Sequence, residues 1–374
     1  MIGRLTRLVC GRPRSVVIVA SVAFLLAAAL GVPAIGSLKS SSRDFQDPAS
    51  QYERANTRAQ RATGQVAYYG VAVLLSGQSD IRRDRASQRA ITEIGTQLEH
   101  QKGFQQVLDY AANELPELLS RDARKTVVLA SYTTAADSTA AVSAVRSIIR
   151  RSPARETLAG MKVTFGGPDV TFEELNTRTI SNLERAELFA LPIVLLLSFL
   201  VFRGLLAALL PPLVGGLAIL LTFLVLRFVN QVTPVSIFAL NLVTGMGLGL
   251  GIDYSLFLLS RYREELARGA ETKGAIVRTL QTAGRTVLYS SVTVAVALTS
   301  LLVFPIRFLS SMGIGGAVVA LCDGVVALIV LPALLVLLGT RINAFSPAWL
   351  QRRAERSARS SHEGAWWKLA RGVM

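Results

Sequence analysis

Cysteine and histidine are nearly missing from this sequence: its 374 residues include two of each, Cys10, Cys322, His100 and His362. Cys10 precedes one hydrophobic run and Cys322 lies inside another, too far apart in depth to pair, so no disulfide framework is available. The histidines stand in differently composed segments, and no metal or cofactor site is expected. No Ser–His–Asp or Cys–His arrangement emerges either, so an enzyme is not expected. The glycine-rich "GMGLGLG" (Gly245 to Gly251) has the look of a nucleotide loop but no lysine follows it, which excludes phosphate binding. Charge is sparse at 17%, and acidic side chains are outnumbered, 25 Asp and Glu against 40 Lys and Arg, for a net charge of +15.

Apolar residues are what the chain has in excess. They make up 51% of it, with a mean hydropathy of +0.44, too apolar for an ordinary soluble protein of this size. Runs at Ser15 to Ile35, Ala186 to Phe202, Leu205 to Leu226, Val235 to Ser260, Thr286 to Ile306 and Met312 to Gly339 each approach the roughly 20 residues that span a bilayer core. Six transmembrane helices are expected. The first run has a basic flank but a poor cleavage site in "GVPAIGSLKS", which points to an uncleaved anchor.

The basic residues locate the two sides of the membrane. Arg4, Arg7, Arg12 and Arg14 precede the first run, Arg203 separates the second and third, a series from Arg261 to Arg285 follows the fourth, and another from Arg341 to Arg371 follows the sixth. The opposite loops offer Arg227 and Arg307. By the positive-inside rule both termini are cytoplasmic. The positive charge is thus topological, and with no interleaved base-stacking aromatics no nucleic acid partner is expected.

Four segments follow: a cytoplasmic start and first helix over 1–36, an extracytoplasmic α+β domain over 37–185, a five-helix bundle over 186–341, and a basic cytoplasmic tail over 342–374. In the polar domain "QVAYYGVAVLLSG" (Gln65 to Gly77), "TVVLASY" (Thr126 to Tyr132) and "KVTF" (Lys162 to Phe165) read as strands, and Asp84 and Asp137 as caps of helices running to about His100 and Arg150, giving a βαββ-like or βαβ-like module. Thr171 and Glu174 match a capping box, so a helix is expected to begin there and continue into the second membrane run. Arg261 to Arg285 reads either as an amphipathic helix lying on the inner leaflet or as a solvated connector.

The fourth run poses the functional question, because it places Asp253 and Tyr254 in a bilayer-spanning stretch where a carboxylate is costly. Gly245, Gly247, Gly249 and Gly251 strip side chains from most of that helix and suit close helix packing. Asp253 shares a face with Gly249, and Tyr254 lies beside Gly247 and Gly251. Desolvation in such a seam favours the protonated carboxyl, so Asp253 reads as a proton site and Tyr254 as a hydroxyl partner. Ser290 and Thr293, one turn apart in the fifth run, are within reach of Asp253. Asp323, in "LCDGVV", is as deep and is a further candidate for the relay. In the rival reading Asp253 only staples helices in a non-transporting assembly or scaffold protein.

At "GIDYSLFLLSRYREE", "GRTVLYSSVTVAVALTSLLVFP" and "FLSSMGIGGAVVALCDGVVALIVLPALLVLLG" the chain resembles the mycobacterial membrane protein large (MmpL) family of resistance-nodulation-division transporters. The resemblance implies an α-helical polytopic protein in which one helix, a porter-like extracytoplasmic domain and five helices form one half. It also implies proton-driven export of lipids or other hydrophobic molecules across the bacterial inner membrane, with Asp253, Tyr254 and Ser290 in the proton relay. Family members carry two such halves whose Asp and Tyr pair, so the expected partner is a second half or a second copy. The tail "AWWKLARGVM" echoes the start "IGRLTRLVCGRP", as the opening of a second repeat would.

Overall fold

The computed structural model describes residues 2–33, 38, 42–63, 69–101, 103–132, 138–151, 160–202, 204–339 and 341. The chain divides into two compact units, residues 40–183 and the two flanking segments 1–39 and 184–374 taken together.

The flanking unit begins with helix α1 (Ile2–Gly11) and, after Arg12, helix α2 (Pro13–Gly31). The fixed φ of Pro13 suits a first helical position and its missing N–H costs nothing there. Cys10, half-buried against the bundle, and Cys322, buried, are both free thiols.

The inserted unit contains helix α3 (Gln51–Thr63), strand β1 (Val71–Ser76), helix α4 (Arg85–Glu99), strand β2 (Phe104–Leu108), the short helix α5 (Tyr110–Asn113), strand β3 (Lys125–Tyr132), helix α6 (Ser138–Arg151) and strand β4 (Lys162–Gly166). The sheet is antiparallel throughout with order β2-β3-β1-β4. That is a split βαβ topology, β1-α4-β2 and β3-α6-β4 interleaved, one strand richer than the expected module. The strand missing from the sequence reading is β2, whose "FQQVL" lacks the Val and Tyr density of the others. Alternation along β1 buries Val71, Val73 and Leu75, which pack with Ile91, Ile94 and Leu98 of α4 and with Val142 and Val145 of α6.

Asp84 caps α4 as expected: it accepts from the amides of Ala86 and Ser87, and its carboxylate is held below the ordinary aspartate range, first by the Ser87 hydroxyl. Asp137 and residues 65–68 of the expected first strand lie outside the described residues. The capping box at Thr171 and Glu174 is corrected. Helix α7 begins earlier and runs Pro168–Phe202; the Thr171 hydroxyl donates back to the Gly167 carbonyl, and Glu174 pairs with Arg178. Pro168 starts the helix because a first-turn amide needs no acceptor.

The remaining helices are α8 (Leu205–Val232), α9 (Ala239–Ala267), α10 (Thr272–Gln281), α11 (Ala283–Thr299) and α12 (Arg307–Leu338). Among the described residues five helices are long and apolar enough to cross a membrane: α2, α8, α9, α12 and the stretch Thr272–Val303 that contains α11. The expected second span is the shorter apolar stretch Leu188–Phe202 at the end of α7.

Close packing follows the small residues. A Cβ on Gly31 would come within 2.9 Å of the Leu224 amide, fixing α2 against α8, and one on Gly215 would lie 2.9 Å from the Gly247 carbonyl, fixing α8 against α9. Arg227 donates to the Leu30 carbonyl at 2.6 Å and Arg307 to that of Pro234 at 3.2 Å, so the two basic residues of the opposite loops both secure backbone ends.

The segment Arg261 to Arg285 also differs from expectation. In α10 Ala275 and Ile276 are fully buried and Leu280 nearly so, in one core with Leu258 and Tyr262 of α9 and Leu331 and Leu335 of α12. Its apolar face is therefore taken up by protein instead of lying on lipid or in solvent.

Candidate functional site

Helix α9 has two faces, and its glycines divide between them. Gly247 and Gly251 are buried. A Cβ on Gly247 would collide with Ile219 and approach Val319 to 3.1 Å, and one on Gly251 would collide with the Gly215 backbone. Gly245 and Gly249 have nothing within 4 Å of an added Cβ. Two of the four expected packing glycines thus work inside this chain, and the other two lie on an open face.

Asp253 lies on the open face, one turn beyond Gly249, and is exposed, whereas Tyr254 turns inward and is 6% exposed. Phe257 continues the open face with 47% exposure. On α11 Ser290 is half-buried and near the Tyr254 hydroxyl, although no well-aligned hydrogen bond joins them. Thr293, expected beside Asp253, is exposed, as are Tyr289 and Val296 on the same helix. The fold therefore brings Tyr254 and Ser290 together and leaves Asp253 outward, mid-way along a membrane-length helix.

Asp323 occupies the opposite environment. It is fully buried, half-way along α12, and a Cβ on Gly251 would stand 3.1 Å from its Oδ1. Neither of its carboxyl oxygens has a hydrogen-bond partner among the described residues. Tyr254 lies within electrostatic reach of both Asp323 and Asp253. Gly324 gives Ser291 its place, since a Cβ there would meet the Ser291 Oγ at 2.5 Å.

Sequence reasoning missed the buried hydroxyls of Ser291, Thr222 and Ser255. Ser291 donates to the Leu288 carbonyl at 3.0 Å and Thr222 to that of Ala218 at 2.7 Å, both spending their protons on their own helices. Ser255 is fully buried with no partner for its hydroxyl. Its position four residues after Gly251 was the available signal, because that spacing places it on the same inward face. Among the described residues no group of three or more His, Cys, Asp and Glu is gathered for a metal ion.

Comparison with known proteins gives consistent matches. Residues 44–373 match the MMPL family. The membrane protein SCO6666 of Streptomyces coelicolor is 35% identical over 347 residues, 91% of this chain and 47% of that protein. The trehalose monomycolate exporter MmpL3 of Mycolicibacterium smegmatis is 38% identical over 192 residues, 51% of this chain and 19% of the exporter. The mycolic acid-containing lipids exporter MmpL11 of the same organism is 32% identical over 161 residues, 43% of this chain and 17% of the exporter. The matched part of the chain spans about half of the first relative and a fifth or less of the other two.

Proposed function

This chain belongs to the MMPL family of membrane proteins, and from that membership we propose that it forms half of a proton-motive-force-driven exporter of lipids or other hydrophobic molecules in the bacterial inner membrane, both termini being cytoplasmic. The carrying observation is the placement of Asp253: an ionisable side chain, exposed on a glycine-opened helix face mid-way along a membrane-length helix, with buried Tyr254 beside it. An unpaired carboxyl facing hydrocarbon is costly, so this face suits a partner that supplies polar groups. A second half with its own Asp and Tyr meets that need, and a second copy of the chain related by an axis along the membrane normal is the other arrangement parallel repeats allow.

In this reading Asp253 takes and gives the proton, Tyr254 orients the partner's carboxyl, and Ser290 holds the Tyr254 hydroxyl. The work is transport, not enzymatic catalysis, and no cofactor takes part. One elementary charge crossing 100 mV supplies about 2.3 kcal/mol. The names of the MmpL3 and MmpL11 relatives favour lipid cargo.

The decisive substitution is Asp253→Asn, which keeps a hydrogen-bonding side chain of the same shape and removes titration. Export by the assembled protein, followed through the envelope lipids of a complemented deletion strain, is expected to fall at least tenfold at unchanged protein level. Intact export would leave Asp253 as a helix staple and the chain as a scaffold.

A further inference from the structure

Asp323 is a buried titratable group, deep in a membrane-length helix, that the relay described above does not use. Its carboxyl is buried where α12 meets α9. Gly251 of α9 lies against it, with Gly215 of α8 packed on Gly251; Tyr254 is a titratable group of α9 within its electrostatic reach, and Cys322 is the one beside it on α12 itself. From α11 Ser291 packs on Gly324, the next residue along α12. Among the described residues no basic side chain neutralises Asp323, and the basic residues of α8, α9 and α12 stand toward the ends of those helices.

A helix staple would show hydrogen bonds to this carboxyl, and neither oxygen has one. Thr222 and Ser291 cannot supply them, because both donate to carbonyls of their own helices. Among the other buried hydroxyls without partners are those of Tyr254 and Ser255, both on the inward side of α9, three and four residues beyond Gly251. An uncompensated carboxylate in such a place is strongly disfavoured relative to the neutral acid, and a cluster of unsatisfied buried polar atoms calls for a functional explanation.

We propose that Asp323 is a second proton-holding carboxyl of this half, exchanging its proton with Asp253 through the Tyr254 hydroxyl. The proposal rests on the relay reading for Asp253. In the exchange the Asp323 carboxylic acid gives its proton to the Tyr254 oxygen as the Tyr254 O–H proton passes to the Asp253 carboxylate. The products are an Asp323 carboxylate, an unchanged tyrosine and a neutral Asp253, with one proton moved between an interior store and the open face. Gly251 acts as a positioning residue, since any side chain there would occupy the space against the Asp323 carboxyl.

Infrared difference spectroscopy of the full-length protein in lipid nanodiscs at neutral pH tests this. A neutral-carboxyl C=O band is expected in the wild type, lost in Asp323→Asn, moved but retained in Asp323→Glu, and retained in Asp253→Asn. Transfer to D2O shifts that band as its proton exchanges, and Tyr254→Phe is expected to slow this shift at least tenfold. Absence of the band, or its survival in Asp323→Asn, would overturn the proton store; exchange at the wild-type rate in Tyr254→Phe would overturn the path. Loss of the band when sodium replaces choline at fixed pH would assign a metal-cation site instead. If Asp253→Asn left export intact while the Asp323 band persisted, the relay would fail and the proton store would stand.

Discussion

Gly251 and Gly249 are two residues apart on one helix and have opposite surroundings. An added methyl at Gly251 meets the Gly215 backbone, which cannot yield as a flexible side chain would. Gly251→Ala is expected to destabilise this chain by about 1–3 kcal/mol, read as a lower melting temperature in detergent. Gly249→Ala, with open space around it, is expected to leave that temperature unchanged within about 0.5 kcal/mol, and to impair export only where a partner packs on the open face. Tyr254→Phe is expected to depress export at near-normal protein level, since it keeps the buried ring and removes its hydroxyl. Equal export by the Phe variant would reduce Tyr254 to packing.

At the scale of elements, the junction of α9 and α10 is held by a charged knot. Glu265, 2% exposed, pairs with Arg261 at 2.6 Å, Arg268 at 3.1 Å and Arg278 at 3.3 Å, while Arg263 donates to the Phe202 carbonyl at the end of α7 at 2.6 Å and lies over the Phe202 ring. Glu265→Gln keeps the shape and loses the charge, and is expected to cost about 1–3 kcal/mol, measured by thermal unfolding. "SRYREE" announced a cluster of charges at a helix end but not which carboxylate would be buried, because Arg278 arrives from α10 only when its apolar face docks. In the other unit, Asp84→Ala removes the cap of α4 and is expected to cost about 1 kcal/mol. The lowered pKa of Asp84 fixes the sign of its pH dependence: its stabilisation is present above the unfolded aspartate value and is lost as pH falls through the lower folded value. Acid unfolding of the Asp84→Ala variant should therefore show a weaker dependence on pH over that window.

At the scale of the whole molecule, the half-transporter proposal assigns the open face of α9 to the partner, and Tyr289 and Val296 are exposed on α11. Native mass spectrometry or cross-linking in mild detergent is expected to show that proton-coupled export in proteoliposomes accompanies an assembled two-half particle. Export by a stable monomer of this chain would contradict the half-transporter proposal.

Much of this architecture was legible without coordinates. Long apolar runs have few places to go other than a bilayer or a buried bundle, and an acidic residue before a helical pattern, as at Asp84, satisfies free amides by local geometry alone. The split of the α9 glycines into two faces followed from helical spacing. Tertiary packing alone decided which face met protein. Asp253 and Asp323 both appeared as charges deep in apolar runs, and only the approach of α8, α9 and α12 at Gly215 and Gly251 enclosed Asp323 and left Asp253 outward. In the same way α10 looked amphipathic in isolation, and its docking on α9 and α12 determined that its apolar stripe was buried in protein. Periodicity determines which residues share a side of a helix, whereas the neighbour that side meets depends on contacts between residues far apart in the chain.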